Sequence, residues 1–132
     1  MARAQWPLMH SRPVVEVILT FTPSRTKVPR VLVADTGAGD AQAPFEMLLD
    51  ENDCIRCAGK ASQTIQLGGA YTGVFPLYMV RIEIPLLSFA HDLPVVGVPT
   101  SPVDLDGIAC FRFLNRFTYG NFGSPSEFGL EI

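Results

Sequence analysis

The sequence predicts a mainly β domain with one short helix towards its C-terminal end, and three features carry that prediction. Eleven prolines and eleven glycines cut the 132 residues into short pieces, the punctuation of many-stranded proteins. Several pieces are rich in Val, Ile, Thr and Phe and alternate apolar with polar side chains, the period of a half-buried strand. Finally, 48% of the residues are hydrophobic and 17% charged, enough for a core and unlike a disordered segment. A chain of this length is expected to form one domain that buries about two-thirds of its extended surface without metal or disulfide.

Taken in order, residues 1–12 carry no clear pattern and are expected to be flexible, which leaves 13–132 as the domain. "PVVEVILTFT" (13–22) reads as a strand, "PSRTK" as a turn, and "VPRVLVADTG" as the returning arm of a hairpin. "PFEMLLDENDC" (44–54) has a helical look, short and weakly periodic. In "SQTIQLGGAYTGVFPLYMVRIEI" two strands flank a glycine-rich tip. Its second arm alternates Val80, Ile82 and Ile84 with Arg81 and Glu83, so one face is wet. "LPVVGVP" (93–99) is a further strand, and "DGIACFRFLNRF" (106–117) predicts a short amphipathic helix with Ile108, Phe111, Leu114 and Phe117 on one side. "SEFGLEI" closes the chain as a terminal strand.

Charge and cysteine usage exclude several classes. The net charge is −3, from 10 basic and 13 acidic residues. The basic residues cluster only at Arg25, Lys27 and Arg30, so the stripe that nucleic acid requires is missing. No apolar run reaches bilayer length, and "MARAQWPLMHSRP" lacks the apolar core of a secretion signal. A cytoplasmic protein without membrane contact is the expectation. Three cysteines, an odd number, speak against a disulfide framework.

"CIRC" spaces Cys54 and Cys57 like a zinc or redox pair. Zinc would need two more ligands, and only Cys110, His10 and His91 remain, none at a paired spacing. A redox role would need a βαβ setting that this chain lacks. Two partly buried thiols near a helix end are expected instead, with neither metal nor cofactor. "VDLDGI" (103–108) is expected to be a loop capping the following helix. His91 reads as a surface-loop residue, and Phe111, Phe113 and Phe117 as core or interface.

The stretch that raises a chemical question is "VLVADTGAGD" (31–40), an apolar strand running into Asp35, Thr36 and Gly37. A dinucleotide fingerprint fails because Gln42 stands where a third glycine is needed, and no Gly-Lys-Ser/Thr follows for a Walker loop. Acid–base work is the other option. A strand end puts Asp35 at the edge of the core, where desolvation alters proton affinity. Thr36 adds a hydroxyl, and Gly37 lets another backbone come close. On the tripeptide alone, an aspartate capping its own turn is the favoured reading.

More than the tripeptide is present. The turn "VLVADTGAG" is followed by the glycine-bearing hairpin "IQLGGAYTGVFPLYMVRIEIP", then by "DGIACFRFLNRF" and a terminal strand. In this order of parts, over roughly residues 13 to 132, the chain resembles the single-domain retroviral-type (retropepsin-like) aspartic proteases, particularly their bacterial relatives. The resemblance implies a compact, acid-protease-like β barrel with one short C-terminal helix, forming a two-fold homodimer. It implies an endopeptidase that cleaves polypeptide substrates without a cofactor. Asp35 would be catalytic, with Thr36 and Gly37 supporting the dyad and Ala38, Gly39 and Asp40 binding substrate. Leu67, Gly68, Gly69, Ala70, Tyr71, Thr72 and Gly73 would form a flap.

One chain has a single Asp-Thr-Gly and is too short for a second lobe, so the second carboxylate would come from a twin on the two-fold axis. Two departures from the family pattern bear on activity. Gly39 stands where relatives carry Asp or Ser, and Cys110, Phe111 and Arg112 replace the usual Gly-Arg-Asp/Asn. A displaced pair of Arg112 with Asp40 would restore the missing ion pair. The alternative reading is a dimer of the same fold that binds peptides or assembles without cutting.

Overall fold

The computed structural model describes residues 2–69, 71–99 and 104–132. It is mainly β, with 52% strand and 12% helix. In chain order the elements are β1 (Arg3–Pro7), β2 (Val14–Phe21), β3 (Thr26–Ala34), β4 (Met47–Asp50), α1 (Glu51–Ala58), β5 (Gln63–Leu67), β6 (Gly73–Ile84), a 3₁₀ turn (Pro85–Leu87), β7 (Phe89–Val98), β8 (Gly107–Ala109), α2 (Phe111–Leu114), β9 (Thr118–Gly120) and β10 (Glu127–Glu131).

Six strands, in the order β2-β3-β8-β4-β7-β6, form a closed barrel. Closure is made where Ile18 of β2 meets Glu83 of β6. The expected hairpin of β2 and β3 is present, from Val14 opposite Val33 to Phe21 opposite Thr26. Alternation sorts the side chains: Val15, Val17 and Leu19 are buried while Glu16 between them is exposed. Val80, Ile82 and Ile84 are buried in the same way, with Arg81 exposed and Glu83 held by Lys27. Closing the sheet on itself removes the open edges that these strands would otherwise present.

Two parallel pairings cross the barrel, β3 with β8 and β4 with β7, while β8 runs antiparallel to β4. The three residues of β8 are thus wedged between two longer strands. Gly107 allows this, because a Cβ there would stand 2.2 Å from the Leu48 carbonyl oxygen. β5 continues the sheet beyond the ring as the outer arm of a hairpin with β6. Phe89, Phe113 and Phe117 stack with ring centroids 5.2 to 5.8 Å apart and are core residues, as expected for the last two.

The structure corrects four local expectations. Residues 3–7 form β1, which pairs with β10 from Arg3–Glu131 to Pro7–Glu127; β9 completes a second, three-stranded sheet. Residues 44–54 do not begin a helix at Phe45, because Met47–Asp50 form β4 and the helix starts only at Glu51. Asp50 caps α1 by accepting from the Asn52 N–H at 2.8 Å, and Arg30 holds Asp53 through two hydrogen bonds of 2.7 and 3.0 Å. The C-terminal helix is therefore not the only one. It is also shorter than expected: Gly107–Ala109 are extended and only Phe111–Leu114 are helical. Phe113 points inward with Leu114 and Phe117, whereas Phe111 is half-exposed. Among the described residues no helix is long and apolar enough to cross a membrane.

Candidate active-site cleft

Asp35 directly follows β3, where the parallel pairing with β8 ends. Its N–H donates to the Ala109 carbonyl at 3.0 Å, so the ladder carries one residue past Ala34 before the chain turns away. The half-buried carboxylate accepts the Gly37 N–H through Oδ1 at 2.9 Å. That bond fixes one oxygen of a residue that lines a cleft. The Ala38 N–H returns to the Asp35 carbonyl at 3.2 Å and closes the turn. A side chain at position 37 would place its Cβ 3.2 Å from the pinned oxygen, so glycine keeps that carboxylate unhindered. Gly39 has a φ of +72°, the left-handed region in which glycine is free of strain.

A cleft of about 250 Å³ opens in front of Asp35. Gly37, Ala38 and Gly39 form its near side, and Phe45, Leu48 and Ile108 its apolar floor. Leu67 at the end of β5 and Gly68, Gly69 and Tyr71 of the connection to β6 complete the lining. The turn and the hairpin tip, remote from each other in sequence, therefore line one space. Tyr71 stands edge-on to Phe75 at 5.8 Å, and burial raises the proton affinity of its phenolate. The Thr72 hydroxyl donates to the Gly69 carbonyl at 3.1 Å, tying the tip across itself, and Gly73 opens β6. Ala70 lies outside the described residues, as do Pro102 and Val103 before the "DLDGI" segment.

Other expected site residues fall differently. Thr36 is exposed. Asp40 accepts the Gln42 N–H at 2.8 Å and caps its own turn, apart from the cleft lining. The pairing of Arg112 with Asp40 is not made. Arg112 instead donates to the Ala43 carbonyl at 3.0 Å and stands 3.9 Å from Glu46.

Glu46 is a residue that sequence reasoning missed. It is fully buried, and Arg116 grips both of its oxygens at 2.6 and 2.8 Å. A short, bidentate, charge-assisted pair is what makes burial of this carboxylate tolerable, and the same bond raises the pKa of Arg116. The main chain of Glu46 accepts from the Cys110 N–H at 3.0 Å, while the Phe111 N–H donates to Ala38 at 2.9 Å. Together these contacts strap the 35–46 loop to the start of α2. The only trace in the sequence is a lone acid inside the apolar run "PFEMLL".

The thiols are quiet. Cys110 is buried, and burial first, then the charges of Asp35 and Glu46, pushes its pKa up to about 12. Cys57 is pushed up to about 11 by burial, with Asp53 adding to it, and Cys54 is raised further still by its own burial. All three are free of disulfides. Among the described residues no three His, Cys, Asp or Glu side chains converge as a metal site. Asp35 is the one carboxylate among the described residues that lines the cleft, so the arrangement offers a single oriented acid–base group facing an apolar slot. Comparison of the chain with protein-family models, curated proteins and solved structures finds no match, which leaves the geometry of the site as the ground for assigning a function.

Proposed function

We propose that the protein is an aspartic endopeptidase of the retropepsin-like type, built from two copies of this chain. The observation that carries the reading is the single cleft shared by Asp35 and the glycine-bearing hairpin tip. A peptide laid across the Asp-Thr-Gly turn would be covered by a tip rich enough in glycine to approach its main chain.

Hydrolysis needs two carboxylates around one water. A twin across a two-fold axis supplies the second Asp35, and like charges about 3 Å apart share one proton. The ionised carboxylate takes a proton from water as it attacks the peptide carbonyl, while the protonated one donates to the carbonyl oxygen. The tetrahedral intermediate then collapses with proton transfer to the leaving amine. The Gly37 N–H bond orients each carboxylate, and the apolar floor of Phe45, Leu48 and Ile108 lowers the competition from bulk water.

Cleavage of unfolded casein, followed by gel and mass spectrometry, tests the reading. Asp35→Asn is expected to abolish cleavage and to leave the thermal unfolding midpoint close to wild type. Equal cleavage by wild type and variant overturns it. A folded, dimeric wild type that cuts nothing favours the second reading, a peptide-binding dimer, for which the replacement of an Arg112–Asp40 pair by contacts to Ala43 and Glu46 is the supporting observation.

A further inference from the structure

Outside the cleft, the outer face of β2 carries a groove that the proposed chemistry does not use. Two cavities, of about 210 and 160 Å³, lie side by side there, with Trp6 and Glu16 in the walls of both. One arm runs to Ile84 and Leu86, the other to Met9 and Val31. Its rim is apolar and wet: Leu86 is 69% exposed and Met9 37%. Large exposed apolar side chains around a concavity mark an interaction surface more often than a bare one.

Charge identifies the occupant. Glu16 is the sole charged side chain in either cavity wall among the described residues, and it makes no ion pair there. Three cations of the neighbouring strands are committed elsewhere, Arg3 to Glu131, Lys27 to Glu83 and Arg30 to Asp53. A carboxylate and an indole that share two apolar cavities make a receptor for a cationic side chain carried on an apolar stem. The carboxylate pairs with the charge, and the indole face attracts it as well. Arginine suits both partners better than lysine, since its planar group stacks and forks.

We propose that this groove binds a polypeptide segment in which an arginine is flanked by apolar residues. The arginine lies between Trp6 and Glu16, and the flanking side chains occupy the two arms towards Leu86 and Met9. The site is separate from the Asp35 cleft, with which it shares no lining residue, and it does not depend on the protein being a peptidase.

Trp6 is the only tryptophan in the chain, so intrinsic fluorescence reports on the groove directly. The probe is a ten-residue peptide with a central Arg between Leu and Val residues, titrated against the 132-residue protein, beside versions with Glu or norleucine at the central position. A saturable change is expected with the Arg peptide alone, weakening as salt is raised. Glu16→Gln is expected to weaken binding about three-fold, the loss of one exposed charge contact. Leu86→Ser, at an exposed position that does not threaten folding, removes apolar contact without adding charge and is expected to weaken it similarly. Binding of all three peptides alike, or of the Arg peptide equally well to Glu16→Gln, overturns the proposal. So does a Trp6 signal that follows protein concentration in place of peptide, which would assign the groove to a second copy of this chain.

Discussion

Glu46 and Arg116 show how a single buried charge shapes this molecule. The carboxylate has no exposure, whereas the Arg116 side chain is 37% exposed, so the two halves of the pair do not cost the same to remove. Arg116→Leu leaves a carboxylate in the core with only Arg112 at 3.9 Å for company. A loss of about 3 kcal/mol is expected, the lower end for an orphaned buried charge. Glu46→Gln keeps the volume and lets both arginines reach water, and about 1 kcal/mol is expected. Urea unfolding of the two variants checks the order; an equal or reversed loss refutes the account. The thiols give a second test at this scale. Burial pushes Cys57 to about 11 and Cys110 to about 12, so the reactive thiolate is scarce at neutral pH. The native protein is expected to resist a disulfide-exchange reagent at pH 7 and to release three thiols on denaturation. Cys57, the least buried, should react first.

Among the elements, the shortest strand has the strictest requirement. β8 fits between β3 and β4 because Gly107 has no side chain, and an added Cβ would overlap the Leu48 carbonyl at 2.2 Å. The Leu48 main chain, held in the β4 ladder, cannot give way as the neighbouring Leu32 and Leu49 side chains would. Gly107→Ala is expected to cost about 3 kcal/mol, the upper end for overpacking, and to disturb the Ala109 contact that positions Asp35. Denaturation with proton–deuterium exchange at the Asp35 amide measures both effects; a variant as stable as wild type would rule out the wedge. Elements with clean alternation, β2, β3 and β6, were legible in the sequence, and so was the hairpin around the glycine-rich tip. β4 was not. Glu46, Met47, Leu48 and Leu49 are buried in succession, and a strand covered on both faces loses the alternation that would reveal it. The helix expected over 106–117 is confined to Phe111–Leu114 for a related reason: apolar residues of a strand, a single turn and a loop fell at spacings that mimic one longer helix.

For the whole molecule, the proposed chemistry makes a sharp prediction about stoichiometry. If each site needs Asp35 from both copies, mixing wild type with an equal amount of Asp35→Asn, after exchange of subunits, leaves wild-type pairs as about a quarter of all dimers. Cleavage per total protein is then expected near one quarter of the wild-type rate, and a value of one half would mean that each chain acts alone. The sequence by itself determined the mainly β class, the position of the Asp-Thr-Gly turn and the glycine-bearing tip, because periodicity and turn chemistry are set by near neighbours. Tertiary structure alone decided that the turn and the tip share a cleft, that Arg3 meets Glu131 across 128 positions, and that Arg116 seeks out Glu46 across 70. Such contacts depend on how the closed barrel brings distant strands together, and no local pattern records which remote partner will be there to neutralise a charge or complete a sheet.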